Sequence, residues 1–503
     1  MGSLTAGTRD GPGPWQAAAE RAPAVLGWAA GVGALTVVFL ILSGREARWL
    51  VGLAVLVVVL TLLAMVGDRK RFLLCLLLAS VTIRTTINLW MPGPTPYSTG
   101  SGTTTTAVEL FAFDPALILL SLYLFLGRKS RPPKDFRITD IAAVAFLLFC
   151  AASLVNSAYP DLTLVRLPVM ARMPLVYYCL SRGVTSRRDL KTVAAALIAL
   201  VAAQSALAIA QTAFGSFDWI NNLVKRDDQL TVVALNGSDV VRATGTVGYT
   251  TVFAQWLGLL SPVALAFAAF GRPAAVRLGA GVAYITALVA VVLSVSRAEW
   301  INVPIVVGAL LVIWMYKQRS GGLSRGLGLA ALVAVMAIVV ALQHDLIVAR
   351  LTSPDSESAY IRLPMMKVAA RVISQNPFFG VGLHNYTQVM RSYGLAELIP
   401  GWDFGVHNSF LYLLAEAGIF ALLTLLFLWA AAFKRLLVCL SSRDQVVWTL
   451  AAGMICGLIA LFIHSQVEEG FHIHQVLNAT LWAFFGLAAA MPHVASQAPA
   501  ARL

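Results

Sequence analysis

Residues 408–432 read Asn-Ser-Phe-Leu-Tyr-Leu-Leu-Ala-Glu-Ala-Gly-Ile-Phe-Ala-Leu-Leu-Thr-Leu-Leu-Phe-Leu-Trp-Ala-Ala-Ala, with Glu416 as the single charge. A helix rises about 1.5 Å per residue, so this run is long enough to cross the ~30 Å hydrocarbon core of a bilayer. The pattern recurs along the chain. Apolar runs fall near 24–43, 49–66, 72–90, 112–127, 139–157, 163–180, 192–213, 249–269, 279–296, 301–316, 326–343, 408–432, 446–464 and 475–491. The fold class expected is therefore all-α, a polytopic membrane protein of about 12–14 transmembrane helices. The run at 163–180 holds Arg166 and Arg172 and reads equally well as a tilted or interfacial helix.

Composition points the same way. Of 503 residues, 59% are apolar and only 12% charged, too few charges to coat a soluble globule of this size. The five cysteines, Cys75, Cys150, Cys179, Cys439 and Cys456, sit in or beside apolar runs and read as packing residues, not a disulfide framework. The net charge of +13 has its cause in basic loops, not in a nucleic-acid partner. Arg69-Lys70-Arg71, Arg128 to Arg137, Arg187-Arg188 with Lys191, Arg272 with Arg277, Lys317 to Arg325, and Lys434-Arg435 with Arg443 all fall on one side of a fourteen-span chain. By the positive-inside rule that side is cytoplasmic, and both termini lie with it. The run at 24–43 is too long for a signal-peptide core and is followed by no cleavage pattern, so it reads as a first span. The layout expected is a flexible cytoplasmic segment 1–22, one transmembrane domain 23–491 with a large outer loop 344–407, and a cytoplasmic tail 492–503.

Residues 358–375 of the outer loop carry apolar residues at three- and four-residue steps, with Arg362, Lys367 and Arg371 between them. That is an amphipathic helix on the membrane face, ended by Asn376-Pro377. Four outer segments carry candidate chemistry. Arg242-Ala-Thr-Gly-Thr-Val-Gly-Tyr249 reads as an anion seat at a helix entrance. Ser294-Val-Ser-Arg297-Ala-Glu-Trp300 joins two spans and sets charged groups at the surface. Asn376-Pro-Phe-Phe-Gly-Val-Gly-Leu-His384 reads mainly as a turn that packs the loop onto the bundle, with His384 open to a site role. His407-Asn408 stands where the loop re-enters the membrane, and an imidazole there can take a proton from a hydroxyl. A fifth cluster, His464-Ser-Gln-Val-Glu468-Glu469-Gly-Phe-His472-Ile-His474, reads as a polar network lining the mouth; its spacing matches no specific metal pattern. Arg84 and Asp114 lie within runs, the first pairing or snorkelling, the second capping a helix.

In order along the chain, Arg242-Ala-Thr-Gly-Thr-Val-Gly, Ser296-Arg297, Asn376-Pro-Phe-Phe-Gly-Val-Gly and His407-Asn-Ser-Phe-Leu-Tyr-Leu-Leu-Ala-Glu416-Ala-Gly418 resemble the O-antigen ligase family and its related polysaccharide polymerases. The resemblance covers roughly 240–430. It implies a GT-C-like integral-membrane glycosyltransferase that takes a glycan from undecaprenyl diphosphate to a hydroxyl acceptor, a glycolipid or another lipid-linked glycan. The reaction lies on the outer leaflet of the bacterial inner membrane, facing the periplasm or cell exterior, with no cofactor, metal or nucleotide. The family's essential histidine maps to His407, and its diphosphate-binding arginines look like Arg242 and Arg297. Arg362 joins them as a further outer cation, and His384, Asn408, Glu416 and Glu468 as additional site residues. The residue after Ser296-Arg297 is Ala298, where the family often has glycine. A polymerase that joins lipid-linked repeat units is the alternative subtype. A transporter or flippase of lipid-linked glycans, and an envelope scaffold, are the alternatives of other classes. The concentration of polar groups at one face favours surface chemistry over passage.

Overall fold

The computed structural model describes residues 58–90, 108–127, 137–214, 232–235, 238–317, 341, 348, 356–394 and 405–497. The expected first span 24–43, the run 326–343 but for Ala341, and segment 1–22 lie outside the described residues, as do 498–503 of the tail. The chain forms two compact units, Met1–Leu73 and Leu74–Leu503, and all the membrane-spanning helices named below belong to the second.

The fold is all-α and polytopic. Eight helices among the described residues are long and apolar enough to cross a membrane. They are α3 (Arg137–Ala152, continued by a 3₁₀ turn to Asn156), α5 (Arg187–Phe214), α6 (Thr250–Phe270), α7 (Ala274–Leu293), α8 (Arg297–Lys317), α11 (Ser409–Leu440), α12 (Gln445–His464) and α14 (Gln475–Ser496). Shorter or more polar helices complete the set: α1 (Arg69–Val81), α2 (Asp114–Leu126), α4 (Pro160–Gly183), α9 (Ser356–Gln375), α10 (Tyr386–Val389) and α13 (Gly470–Ile473).

Glycines decide which helices reach the centre. In α12, a Cβ at Gly457 would overlap the carbonyl of Leu259 in α6, and one at Gly453 would sit 2.6 Å from the Cα of Val263. Small residues let two backbones close up where lipid gives no hydrophobic push. Gly486 of α14 does the same against the Tyr177 carbonyl of α4, where a Cβ would lie 2.6 Å away. These central helices are the most enclosed: α6 is 89% buried over its apolar window, and α12 and α14 are 78% buried. The apolar windows of α3 and α8 are only 33% buried, so their other faces, with Ile138, Ile141, Leu148, Ile301 and Val312 exposed, suit lipid.

Two of the spans read differently in three dimensions. The run 72–90 does not continue as helix. It stops at Val81, and Thr86–Trp90 becomes strand β1, antiparallel to β2 (Val108–Phe111). Ser80 and Thr82 turn their hydroxyls back onto the carbonyls of Leu77 and Ala79, and a β-rich Thr-Ile-Arg-Thr-Thr-Ile stretch follows. Arg84 is therefore outside a helix. The run 163–180 is helix over 160–183, and both of its arginines find partners within the protein. Arg172 pairs with Asp114 at 2.6 Å, and Arg166 donates to the carbonyls of His472 and Ile473 at 3.0 Å. Asp114 serves as that partner instead of capping α2. A second hairpin pairs β3 (Val232–Leu235) with β4 (Ser238–Val241), with Asn-Gly between Leu235 and Ser238, the dipeptide favoured in two-residue hairpins.

Several of the basic helix ends meet at one end of the bundle. Arg182 pairs with Asp140, Arg187 with Asp444, and the Lys317 ammonium donates to the carbonyls of Leu440 and Ser442. His407 lies at the other end, where α11 begins and α12 finishes.

Candidate active site

The expected amphipathic helix is present as α9 over Ser356–Gln375. Met365, Val368, Ala369 and Val372 are its buried stripe, and Val368, Ala369 and Val372 pack with Tyr412 and Ala415 of α11. The chain then turns through Asn376-Pro377 and lies along a break in α11. Gly418 has φ +77° and ψ −178°, outside any helical conformation. The carbonyls freed by the break accept from the loop, Ala415 O from Val381 N at 2.9 Å and Glu416 O from Gly382 N at 3.0 Å. Ile419 N donates to Pro377 O at 2.9 Å. A Cβ at Gly418 would overlap the Phe378 carbonyl, so only glycine admits this approach. The Asn-Pro-Phe-Phe-Gly-Val-Gly segment thus works as a docking strip, as its turn reading implied.

Asn385 pins the other end of that strip. It is fully buried, accepts from Tyr159 N at 2.7 Å and from Ser157 Oγ at 3.2 Å, and donates to Thr163 Oγ1, Tyr159 O and Leu383 O. His384 is buried beside it in left-handed backbone, φ +63°.

At the start of α11, Asn408 caps the helix. Its Oδ1 accepts from Phe410 N and Leu411 N, and its Nδ2 donates to Gln466 O at 3.1 Å. That is a folding role. His407, one residue earlier, points Nδ1 at two carboxylates, Glu468 at 3.3 Å and Glu469 at 3.4 Å. Arg362 of α9 reaches the other oxygen of Glu468 at 3.6 Å. The turn that carries both glutamates is fixed by Ser409, whose N–H donates to the Ser465 and Glu468 carbonyls and whose Oγ donates to the Glu468 carbonyl.

The charges in this cluster are unequal. Burial alone would lower the His407 pKa, but the charge of Glu469 and the hydrogen bond and charge of Glu468 override it and lift it to about 9. Burial opposes ionisation of Glu468, yet the bond and charge of His407, with Arg362, bring it down to about 2. Burial pushes Glu469 up to about 7, with His407 tempering the rise. The resting cluster is an imidazolium between one firmly ionised carboxylate and one poised near neutrality. His474 nearby is held to about 3 by burial and by Arg84, and so stays neutral.

Two further histidine–glutamate pairs flank it. His472 Nε2 meets Glu416 Oε2 at 2.8 Å, and the other oxygen of Glu416 accepts from Tyr386 N at 3.3 Å. His464 Nδ1 meets Glu299 Oε2 at 2.8 Å. Glu416 therefore holds the docking strip to the 468–474 turn. Glu469 and His472 belong to the 464–474 segment read as a polar network lining the mouth, and Glu299 to the charged 294–300 segment, but none of the three was named as a site residue.

Arg242 lies against the turn that precedes Arg297. Arg242 Nε donates to Ser294 O at 2.8 Å, and Ala243 N to Leu293 O at 3.1 Å, so the strand runs beside the turn that leads into α8. Val295 in that turn has φ +55°, a strained conformation of the kind found at sites. The Gly-Thr backbone after Arg242 is not an open phosphate cradle. Gly245 N donates to Gln211 Oε1 at 2.9 Å and Thr246 N to Gln204 Oε1 at 3.0 Å, both glutamines from α5. An anion here would meet arginine side chains, not these amides. Arg84 stacks over the Tyr249 ring at 3.9 Å, and His474 packs against the same ring at 4.6 Å. Among the described residues no three His, Cys, Asp or Glu side chains converge as metal ligands.

The fold and this constellation describe a multi-pass membrane protein with an arginine- and histidine-bearing centre at one end. Residues 282–426 match the family model described as O-antigen ligase. That stretch takes in Ser296-Arg297, the docking strip, His407-Asn408 and Glu416-Ala-Gly418; Arg242 and the 464–474 turn lie outside it. Over that stretch the chain is similar to the O-antigen ligase family, as the motifs implied, and the match supports an O-antigen ligase-type enzyme in general terms. No curated protein matches the chain.

Proposed function

We propose that the protein transfers a glycan from undecaprenyl diphosphate to a hydroxyl of a glycolipid acceptor, by a single inverting displacement at the outer face of the bacterial inner membrane. The observation that carries this reading is His407, its Nδ1 engaged by Glu468 and Glu469 while Arg362 holds the same Glu468. Orientation of one ring nitrogen by a carboxylate leaves the other, Nε2, to face a substrate. The acceptor oxygen forms a bond to the anomeric carbon as the bond from that carbon to the diphosphate oxygen breaks. The hydroxyl proton passes to neutral His407 Nε2. The charge that develops on the leaving diphosphate falls to Arg242, Arg297 and Arg362, since guanidinium groups stay protonated and bind phosphate oxygens in a fork. This donor set does the work of charge neutralisation without a metal. The basic end of the bundle is then the cytoplasmic end, and His407 faces out. Ligase is preferred to polymerase on the description of the matching family.

The test is transfer from a labelled undecaprenyl-diphosphate glycan, in EDTA, by wild type and His407→Ala. Lipid A–core and a second lipid-linked repeat unit are offered as alternative acceptors. Transfer by wild type alone, with both proteins folded and both binding donor, is the expected result. Robust transfer by His407→Ala would remove His407 from the chemistry, and transfer to the repeat unit alone would make the protein a polymerase.

A further inference from the structure

Glu299 and His464 are 165 residues apart in sequence and make a contact of 2.8 Å, with side-chain exposures of 3% and 1%. Neither belongs to the chemistry above. Several features exist to make this contact. Asn302, one turn along α8, donates to Glu299 Oε2 at 3.2 Å and to Ala460 O of α12 at 3.1 Å, which orients the carboxylate toward His464. Helix α6 lacks a side chain where it faces the pair: a Cβ at Gly258 would overlap the Glu299 carboxylate. A glycine inside a helix weakens it, and a buried polar pair seldom stabilises more than well-packed apolar residues would. The pair is costly to bury and sits at a junction.

On one side of the junction, Glu299 stands in the first turn of α8, two residues after Arg297 and directly after the strained Val295 turn to which Arg242 is bonded. On the other, His464 ends α12 and opens the turn that carries Glu468 and Glu469; Val467 N donates to His464 O at 3.0 Å, and Ser465 O accepts Ser409 N at 2.9 Å. The Glu299–His464 contact thereby links the helix that begins at Arg297 to the helix that leads into the Glu468–Glu469 turn.

We propose that Glu299 and His464 are positioning residues, a strut that fixes the arginines Arg242 and Arg297 relative to His407 and Glu468. The proposal rests on the glycosyl-transfer reading for its kinetic consequence, but the geometry it asserts has its own readout. The strut acts on alignment of two groups that each remain intact, so its loss slows turnover more than it weakens donor binding.

The experiment uses the full chain in nanodiscs. Wild type, Glu299→Ala, Glu299→Gln, His464→Ala and the double alanine variant are assayed for kcat and donor KM per folded molecule. The titration of His407 is followed by NMR on histidine-labelled wild type and Glu299→Ala. Each alanine variant is expected to lose at least about tenfold in kcat with donor KM within about threefold, and the double variant to be no worse than either single one. Glu299→Gln, which keeps the hydrogen bond to the ring and to Asn302, recovers most of the rate. The His407 midpoint in Glu299→Ala falls from about 9 toward its ordinary value as the turn with Glu468 and Glu469 shifts. A kcat and a midpoint both unchanged in Glu299→Ala would overturn the proposal, and so would Glu299→Gln as impaired as alanine, which would indicate a field effect and not a held geometry. A wild type that transfers no glycan would sink the transferase reading alone, since the midpoint still decides for or against the strut. If the alanine variants do not fold, Glu299→Asp, one methylene short of His464, gives the same two readings.

Discussion

Glu469→Gln separates the two carboxylates that share His407. Nδ1 lies 3.3 Å from Glu468 and 3.4 Å from Glu469, and the ring is held near 9 against an ordinary value of about 6.5. The rise survives the opposing effect of burial, and the charge of Glu469 is the largest single cause of it, ahead of the bond and charge of Glu468. Neutralising Glu469 should bring the His407 midpoint to about 8 or below. A base of pKa 9 is neutral in about 1% of molecules at pH 7, and one of pKa 8 in about 10%. Part of that tenfold gain is returned because a weaker base abstracts a proton less well. The expected outcome is kcat/KM at pH 7 raised roughly two- to fivefold, with the acid limb of the profile displaced by about one unit toward lower pH. Wild type should show an additional inflection near 7 from Glu469 itself, coupled to His407, and the variant should lack it. The assay is the initial rate of transfer at subsaturating donor from pH 6 to 10. Superimposable limbs for wild type and Glu469→Gln, or a wild-type limb complete by pH 7, would show that His407 is not the base or that its neighbours do not set its charge.

The same cluster governs stability. His407 is raised in the folded state, so its contribution is full below about 6.5 and is lost as pH rises through about 9; Tm should fall over that window, and less so in His407→Gln. Glu468 is depressed, so its contribution is present above about 4.5 and lost as pH falls through about 2, which acid unfolding of Glu468→Gln beside wild type would reveal as a smaller loss. Gly418→Ala meets a backbone conformation closed to other residues, about 1–3 kcal/mol of strain. It also displaces the three hydrogen bonds of the docking strip, about 1 kcal/mol each; loss of transfer with a Tm several degrees lower is expected, and a wild-type Tm would contradict the docking role. Asn385→Ala removes the acceptor of Tyr159 N and the bonds Asn385 donates to Thr163 Oγ1, Tyr159 O and Leu383 O, and should cost about 1–3 kcal/mol in denaturant unfolding.

The membrane helices were readable because apolar length is a local property. Runs such as 446–464 and 475–491 emerge as α12 and α14 with ends moved by a few residues. The run 72–90 misled because hydropathy does not register that Thr82, Thr85 and Thr86 favour turn and strand. Within the site, His407, Glu468 and Arg362 do meet, and Arg242 lies beside the turn before Arg297. The glycine-threonine stretch after Arg242 has the composition of an anion seat, but its amides are claimed by Gln204 and Gln211, and nothing local to 242–249 discloses two glutamines in a helix that reads as a plain span. Asn408 resembles a site residue by adjacency to His407 and proves to be a helix cap. The Glu299–His464 contact is a tertiary fact, set by how closely α6, α8 and α12 pack, and had no signature in either segment alone.

The break in α11 also bears on biogenesis. A helix entering the membrane satisfies its own backbone, and bare carbonyls in that setting cost several kcal/mol each. The carbonyls of Ala415 and Glu416 and the amide of Ile419 find their partners in residues 377–382 instead. Those residues precede α11 in the chain and are synthesised before it. The strip is thus available when the broken helix arrives, so the chain supplies the complement to its own defect in the order in which it is made.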